Sequence, residues 1–164
     1  MKLHPDLVYD KIEDIDLSYI KNMGIKGVIL DIDNTLVVPH THADDRAIAF
    51  VNKVKSEGLK ACIVSNNIYE RAESFAKEVD LDFVCDGNKP SRRPFLLALD
   101  KLGLNSNEVA VIGDQIFTDV WGGNRMKMLT ILVSPICDIE NYFIKLKRMC
   151  EKIIMIGFKG ERNG

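Results

Sequence analysis

A chain of 164 residues with 46% hydrophobic content can bury one sizeable core, and at roughly 150 residues per domain it reads as a single domain over residues 1–164. Its 22 basic and 24 acidic residues leave a formal charge of −2, so no overall positive field exists to collect nucleic acid. No run approaches the ~20 apolar residues of a membrane span, and the first ten residues carry His4, Pro5 and Asp6 where a signal peptide needs an apolar stretch.

The N-terminal segment, residues 1–25, is expected to contribute a short strand or turn and a helix between Leu7 and Met23, packed at a sheet edge. Strands are predicted at Val28–Ile32, Lys60–Val64, Phe83–Cys85, Val109–Ile112 and Thr130–Val133, each rich in β-branched or bulky residues and lacking alternation, as buried parallel strands are. Between them, Ala47, Phe50, Val51 and Val54 form a helical stripe that stops near Gly58, and Phe95, Leu96, Leu99 and Leu102 form another that stops at Gly103. Helices at Asn67–Val79 and Thr118–Met126 complete a β-α alternation, which predicts a three-layer, doubly wound parallel sheet. Residues 138–164 are expected to form a helix and tail. There Ile139, Phe143, Leu146, Met149, Cys150 and Ile153 line up opposite Lys145, Lys147, Arg148 and Lys152, a pattern that suits either core packing or an interfacial helix. Cys62, Cys85, Cys137 and Cys150 show no C-x-x-C spacing and three sit in apolar stretches, which predicts reduced, buried thiols and a cytoplasmic protein, with peripheral contact at the inner membrane face left open.

Carboxylates mark the ends of two of these strands. Asp31-Ile32-Asp33-Asn34-Thr35 follows Gly27–Leu30, and Asp114 and Asp119 follow Val109–Gly113. Between them lie Ser65, closing the second strand, and Lys89, in the loop before the helix that begins near Arg92. In a doubly wound sheet ligands bind beyond the carboxyl ends of strands, so these residues are expected to converge on one crevice.

The ordered set D-x-D-x-T, S, K-P and G-D-x-x-x-x-D resembles the haloacid dehalogenase superfamily of aspartyl-nucleophile phosphohydrolases, from about Lys26 to Ile136. The resemblance implies a Rossmann-like fold in which Asp31 is the nucleophile and Asp33 the general acid and base, while Lys89 neutralises phosphoryl charge. It also implies Mg²⁺ held by Asp31, Asp33 through its backbone carbonyl, and Asp114, with Asp119 behind them orienting water or Lys89. Ser65 and Asn66, with N–H groups at the helix start, would hold the phosphoryl oxygens. Too little chain separates these motifs for a cap domain. An open crevice favours bulky phosphates, or a partner subunit supplying the missing wall as in a homo-oligomer. More narrowly, Gly24–Val28, Asp31–Leu36 with Pro39, Gly113–Gln115, Thr118–Val120 and Gly122–Arg125 resemble the capless subclass III proteins of the bacterial YqeG type. That group is similar to the mitochondrial phosphatidylglycerophosphate phosphatases, which implies a phosphorylated substrate that is a small molecule, a lipid headgroup or a protein. Those relatives tend to carry lysine where this chain has Ile32.

Simpler readings exist for each part. A lone D-x-D is often turn chemistry, Ser65-Asn66-Asn67 alone suits a helix cap, and His40 with His42 reads as a solvated loop more readily than as a metal pair. Arg92 and Arg93 suit either a grip on a second anionic group or an exposed first helical turn. A non-catalytic phosphate-binding or scaffold protein of the same fold is the alternative to a phosphatase. A protein freed of chemistry, however, need not keep both Asp31 and Asp33.

Overall fold

The computed structural model describes residues 2–85, 87–137, 150, 153–156 and 161–162. Seven strands form one sheet: β1 (Leu7–Tyr9), β2 (Gly27–Leu30), β3 (Lys60–Val64), β4 (Asp82–Val84), β5 (Val109–Gly113), β6 (Leu129–Val133) and the two-residue β7 (Glu161–Arg162). Their order is β4-β3-β2-β5-β6-β1-β7, and every pairing is parallel. The helices flanking the sheet include α1 (Leu17–Asn22), α2 (Asp45–Ser56), α3 (Tyr69–Val79), α4 (Arg92–Leu102) and α5 (Trp121–Arg125).

Alternation along the strands sorts the core into two layers. Val28 and Leu30 of β2, Ile63 of β3 and Ala110 and Ile112 of β5 pack with Leu17 and Ile20 of α1, with Ala47, Phe50, Val51 and Val54 of α2, and with Phe75, Ala76 and Val79 of α3. Ile29, Cys62, Val64, Val109 and Val111 point the other way and pack with Phe95, Ala98 and Leu102 of α4. Both faces are thus covered, giving the three-layer doubly wound sheet that the alternation predicted. Asp44 caps α2 by accepting from the Ala47 N–H at 2.8 Å, and Gly103 ends α4 in the left-handed conformation at φ 62°.

Local boundaries differ from the sequence expectation for physical reasons. β2 stops at Leu30 rather than Ile32, because the Ile32 carbonyl accepts the N–H groups of Thr35, Leu36 and Val37 at 2.9–3.3 Å and folds the chain into a tight loop. Leu96 does not join the buried stripe of α4: it is 54% exposed, and Pro94, Phe95, Ala98 and Leu102 face inward instead. The expected helix at 118–126 is a π-helical turn, Ile116–Val120, running into α5. Of the cysteines only Cys62 is buried, its thiol pushed up to about 12 by burial; Cys85 and Cys137 are half-buried and Cys150 is exposed, and none is in a disulfide. Most of the expected C-terminal helix, including Lys145, Lys147, Arg148 and Lys152, lies outside the described residues. Among the described residues no helix is long and apolar enough to cross a membrane. Among them, too, the chain between Thr35 and Ser65 holds only α2 and β3, and that between Ser65 and Lys89 only α3 and β4, so no cap domain is inserted.

Candidate active site

β2 and β5 are neighbours in register, Leu30 opposite Ile112, and the chain order reverses across them: β3 and β4 lie on one side, β6 and β1 on the other. A crevice at their carboxyl ends is therefore built into the topology. Asp31 leaves β2 with its N–H bonded to the Ile112 carbonyl at 3.1 Å, and Asp114 directly follows β5. The Thr35 hydroxyl lies 3.3 Å from both Asp31 Oδ2 and Asp114 Oδ1, able to donate to either, so the tight loop after β2 ties the two strand ends together.

Lys89 enters this crevice from the loop after β4. Its ammonium donates to Asp31 Oδ1 at 2.6 Å, Asp119 Oδ1 at 2.6 Å and the Val64 carbonyl at 2.9 Å, which uses all three of its hydrogens. Asp31, Lys89, Asp114 and Asp119 are all buried. Carboxylate oxygens of Asp31, Asp114 and Asp119 lie within 4.8 Å of one another. With one ammonium among three carboxylates, two negative charges stay uncompensated when all are ionised, which suits a divalent cation with hard oxygen ligands. Burial pushes the Asp31 carboxyl up to about 6, against the pull of Lys89 and with Asp119 and Asp33 adding to the rise. Burial alone would depress the Lys89 ammonium, but Asp119 and Asp31 hold it above the ordinary lysine value.

Asp119 is held in place by its neighbours: its Oδ2 accepts from the Thr118 hydroxyl at 3.2 Å and the Gln115 N–H at 3.3 Å. Gly113 makes room for it, since a Cβ there would lie 2.3 Å from the Asp119 Cγ. Gly113→Ala should therefore displace Asp119 and with it Lys89, lowering turnover of an aryl phosphate on the order of 100-fold, as misplacement by about 1 Å does. Steady-state kinetics checks this, and unchanged turnover would contradict the packing argument.

Ser65 is buried at the end of β3, and its hydroxyl accepts the Asn67 N–H at 3.1 Å. Asn66, whose backbone N–H is expected at the phosphate, places its side chain on the backbone of Lys89, with Oδ1 accepting the Lys89 N–H at 2.8 Å and Nδ2 3.4 Å from its carbonyl. Asp33 stands apart from the Asp31–Lys89 group: its carboxylate accepts from Asn67 Nδ2 at 2.7 Å, Arg71 Nη2 at 3.1 Å and the His40 N–H at 3.3 Å. The sequence reading missed Thr35 and Arg71 as members of this site, and it placed Asn67 there through its backbone N–H and not through its side chain. Thr35 was legible in D-x-D-x-T, whereas Arg71 is one of several charged residues on α3 and carries no motif. His42 bonds Glu78 at 2.6 Å and lies in an exposed loop, and Arg92 and Arg93 are exposed on the first turn of α4.

Comparison with known proteins fixes the family. The sequence profile of the haloacid dehalogenase-like hydrolases matches residues 40–127. The chain is also 35% identical over 156 residues to the probable phosphatase YqeG of Bacillus subtilis, covering 94% of this chain and 91% of that one. The chain belongs to the haloacid dehalogenase-like hydrolase family. Its class is that of a haloacid dehalogenase-type phosphatase. It is further 30% identical over 140 residues to a chloroplastic and mitochondrial phosphatidylglycerophosphate phosphatase of Arabidopsis thaliana, with 79% of this chain matched and 40% of that protein's length spanned. A crystal structure of an uncharacterized protein from Listeria monocytogenes serotype 4b superposes with a TM-score of 0.56 at 19% identity, over 76% of this chain and 99% of the other, a likeness of fold alone.

Proposed function

We propose that the protein is a Mg²⁺-dependent phosphate monoester hydrolase working through an aspartyl-phosphate on Asp31. The observation that carries this reading is the buried convergence of Asp31, Lys89 and Asp119, with Asp114 joined through Thr35, at the carboxyl ends of β2 and β5. In the first step Asp31 attacks phosphorus, the bond from phosphorus to the ester oxygen breaks, and that oxygen takes a proton from the Asp33 carboxyl. In the second, water attacks the acyl phosphate, Asp33 accepts the water's proton, and the bond from Asp31 to phosphorus breaks to regenerate the carboxylate. Ser65 holds a phosphoryl oxygen, and Lys89 holds another by exchanging its bond to Asp31 as Asp31 turns to phosphorus, while Asn66 fixes the backbone of Lys89 and Asp119 orients its ammonium. The carboxylates of Asp31 and Asp114 and the backbone carbonyl of Asp33 would hold the cation. When bound, it would neutralise phosphoryl charge and offset the excess of carboxylates.

That no cap domain is inserted among the described residues supports a bulky substrate, because few groups beyond the phosphoryl site can grip a small one. The likeness to phosphatidylglycerophosphate phosphatases supports a lipid phosphate headgroup in particular, presented at a membrane surface by peripheral contact. Chelator should abolish turnover of an aryl phosphate and Mg²⁺ should restore it, but not in Asp114→Ala at ordinary Mg²⁺ concentrations; metal-independent turnover would overturn the metal assignment. Phosphatidylglycerophosphate in anionic vesicles should be hydrolysed with a much higher kcat/KM than small soluble phosphates. Equal values would remove the lipid reading and leave the phosphatase.

A further inference from the structure

We infer that Arg71, seconded by Asn67, is a positioning residue for departure of the leaving group, holding Asp33 where it must surrender its proton. This rests on the reading of Asp33 as general acid. The segment that follows β3 supplies both donors: Asn67 precedes α3, Arg71 lies in its first turn, and their side chains reach the two oxygens of Asp33 at 2.7 and 3.1 Å. Neither Lys89 nor Asp31 makes a hydrogen bond to that carboxyl among the described residues, so Asp33 takes its orientation from α3 and the 33–40 loop.

Arg71 is placed by packing more than by hydrogen bonds. Its side chain is 16% exposed, its guanidinium sits 5.6 Å over the ring of the fully buried Phe75, and its Nε is buried with no hydrogen-bond partner among the described residues. A buried donor left unmet while Nη2 meets Asp33 is the arrangement expected of a group fixed for that one contact. The chemistry gives the contact a purpose. As the ester bond breaks, the proton passes from Asp33 to the departing oxygen and a carboxylate forms, and the Arg71 and Asn67 donors are already aimed at that carboxylate. They therefore fix where that carboxyl points while its proton leaves.

A purely structural Arg71–Asp33 link would serve all substrates alike, whereas a positioning role shows in the leaving group. The value of kcat/KM covers the steps through departure of the alcohol, so it isolates the acid from the later hydrolysis. Arg71→Gln and Asn67→Ala should lower kcat/KM for an alkyl phosphate, whose alkoxide needs the proton, on the order of 10-fold more than for para-nitrophenyl phosphate, whose phenolate leaves without it. Arg71→Lys should recover part of that difference, and Asp33→Asn, measured in parallel, should show the same discrimination more strongly. In the Asp33→Asn background, Arg71→Gln should add no further discrimination. Equal losses for both substrates in the Arg71 and Asn67 variants, with Asp33→Asn still discriminating, would overturn the inference. No discrimination in Asp33→Asn itself would instead overturn the acid role from which the inference starts. Thermal unfolding confirms that each variant is folded, and if Arg71→Gln does not fold, Arg71→Lys and Asn67→Ala decide the matter by the same ratio.

Discussion

Asp31→Asn should lower phosphate monoester hydrolysis on the order of 10³-fold or more, the size of losing a nucleophile, while leaving the fold intact. The amide keeps the volume and can still accept from Lys89, but it carries no charge to attack phosphorus. Stability should respond in the opposite sense. In the folded chain the Asp31 carboxyl is raised from 3.8 to about 6, chiefly by burial. The fold therefore holds this proton more tightly than the unfolded chain does, and the stability this contributes is full below about pH 4 and lost as pH rises through about 6. With chelator present, wild type measured against Asp31→Asn should lose about 3 kcal/mol across that window. Carboxyls elsewhere, such as Glu108, held down to about 2 by Lys26 and Asn105, titrate alike in both proteins and cancel from the difference. Denaturant midpoints at pH 4 and pH 7 check this, and a difference that does not change with pH would contradict it.

Lys89→Met should be the more damaging change to the fold. It removes the ammonium shared by Asp31 and Asp119 and leaves those carboxylates buried together with Asp114 and no cation among them. Deleting one partner of a buried pair costs about 3–5 kcal/mol, which for a chain of this length is a fall in Tm of roughly 10 °C or more. Turnover should disappear with it. Because the deficit is one of positive charge, Mg²⁺ should restore more Tm in Lys89→Met than in wild type. An unchanged Tm in Lys89→Met would mean that the buried cluster is not held by this ammonium.

Much of this was legible in the sequence, and what was not had local causes. The apolar runs ending in Asp31, Ser65 and Asp114 marked the strand ends because a buried parallel strand has no alternation to disguise them. The pairing of β2 with β5 is not readable from the apolar runs themselves; the resemblance to the haloacid dehalogenase superfamily implies it. The direction of side chains did not follow. Asn66 and Asn67 are adjacent and chemically identical, yet one bonds the Lys89 backbone and the other the Asp33 carboxylate, because their side chains leave the chain in different directions at the turn between β3 and α3. Leu96 continued an apolar stripe but is exposed, since Pro94 and Ala98 share the inward face of α4 with Phe95 and Leu102. Arg71 was invisible for a related reason: on α3 it is one charged residue among Glu70, Glu73, Lys77 and Glu78, and only the curl of the loop carrying Asp33 singles it out.

The central claim is that hydrolysis passes through a phosphate carried by Asp31, and it is tested most directly by acid-quenching single turnovers with excess enzyme and sequencing the phosphorylated peptide by mass spectrometry. Phosphate should appear on Asp31 within the first turnover, be released by hydroxylamine as an acyl phosphate is, and be absent from Asp31→Asn. Product formed with no phosphorylated peptide at any quench time, or phosphate carried by a residue other than Asp31, would contradict the account.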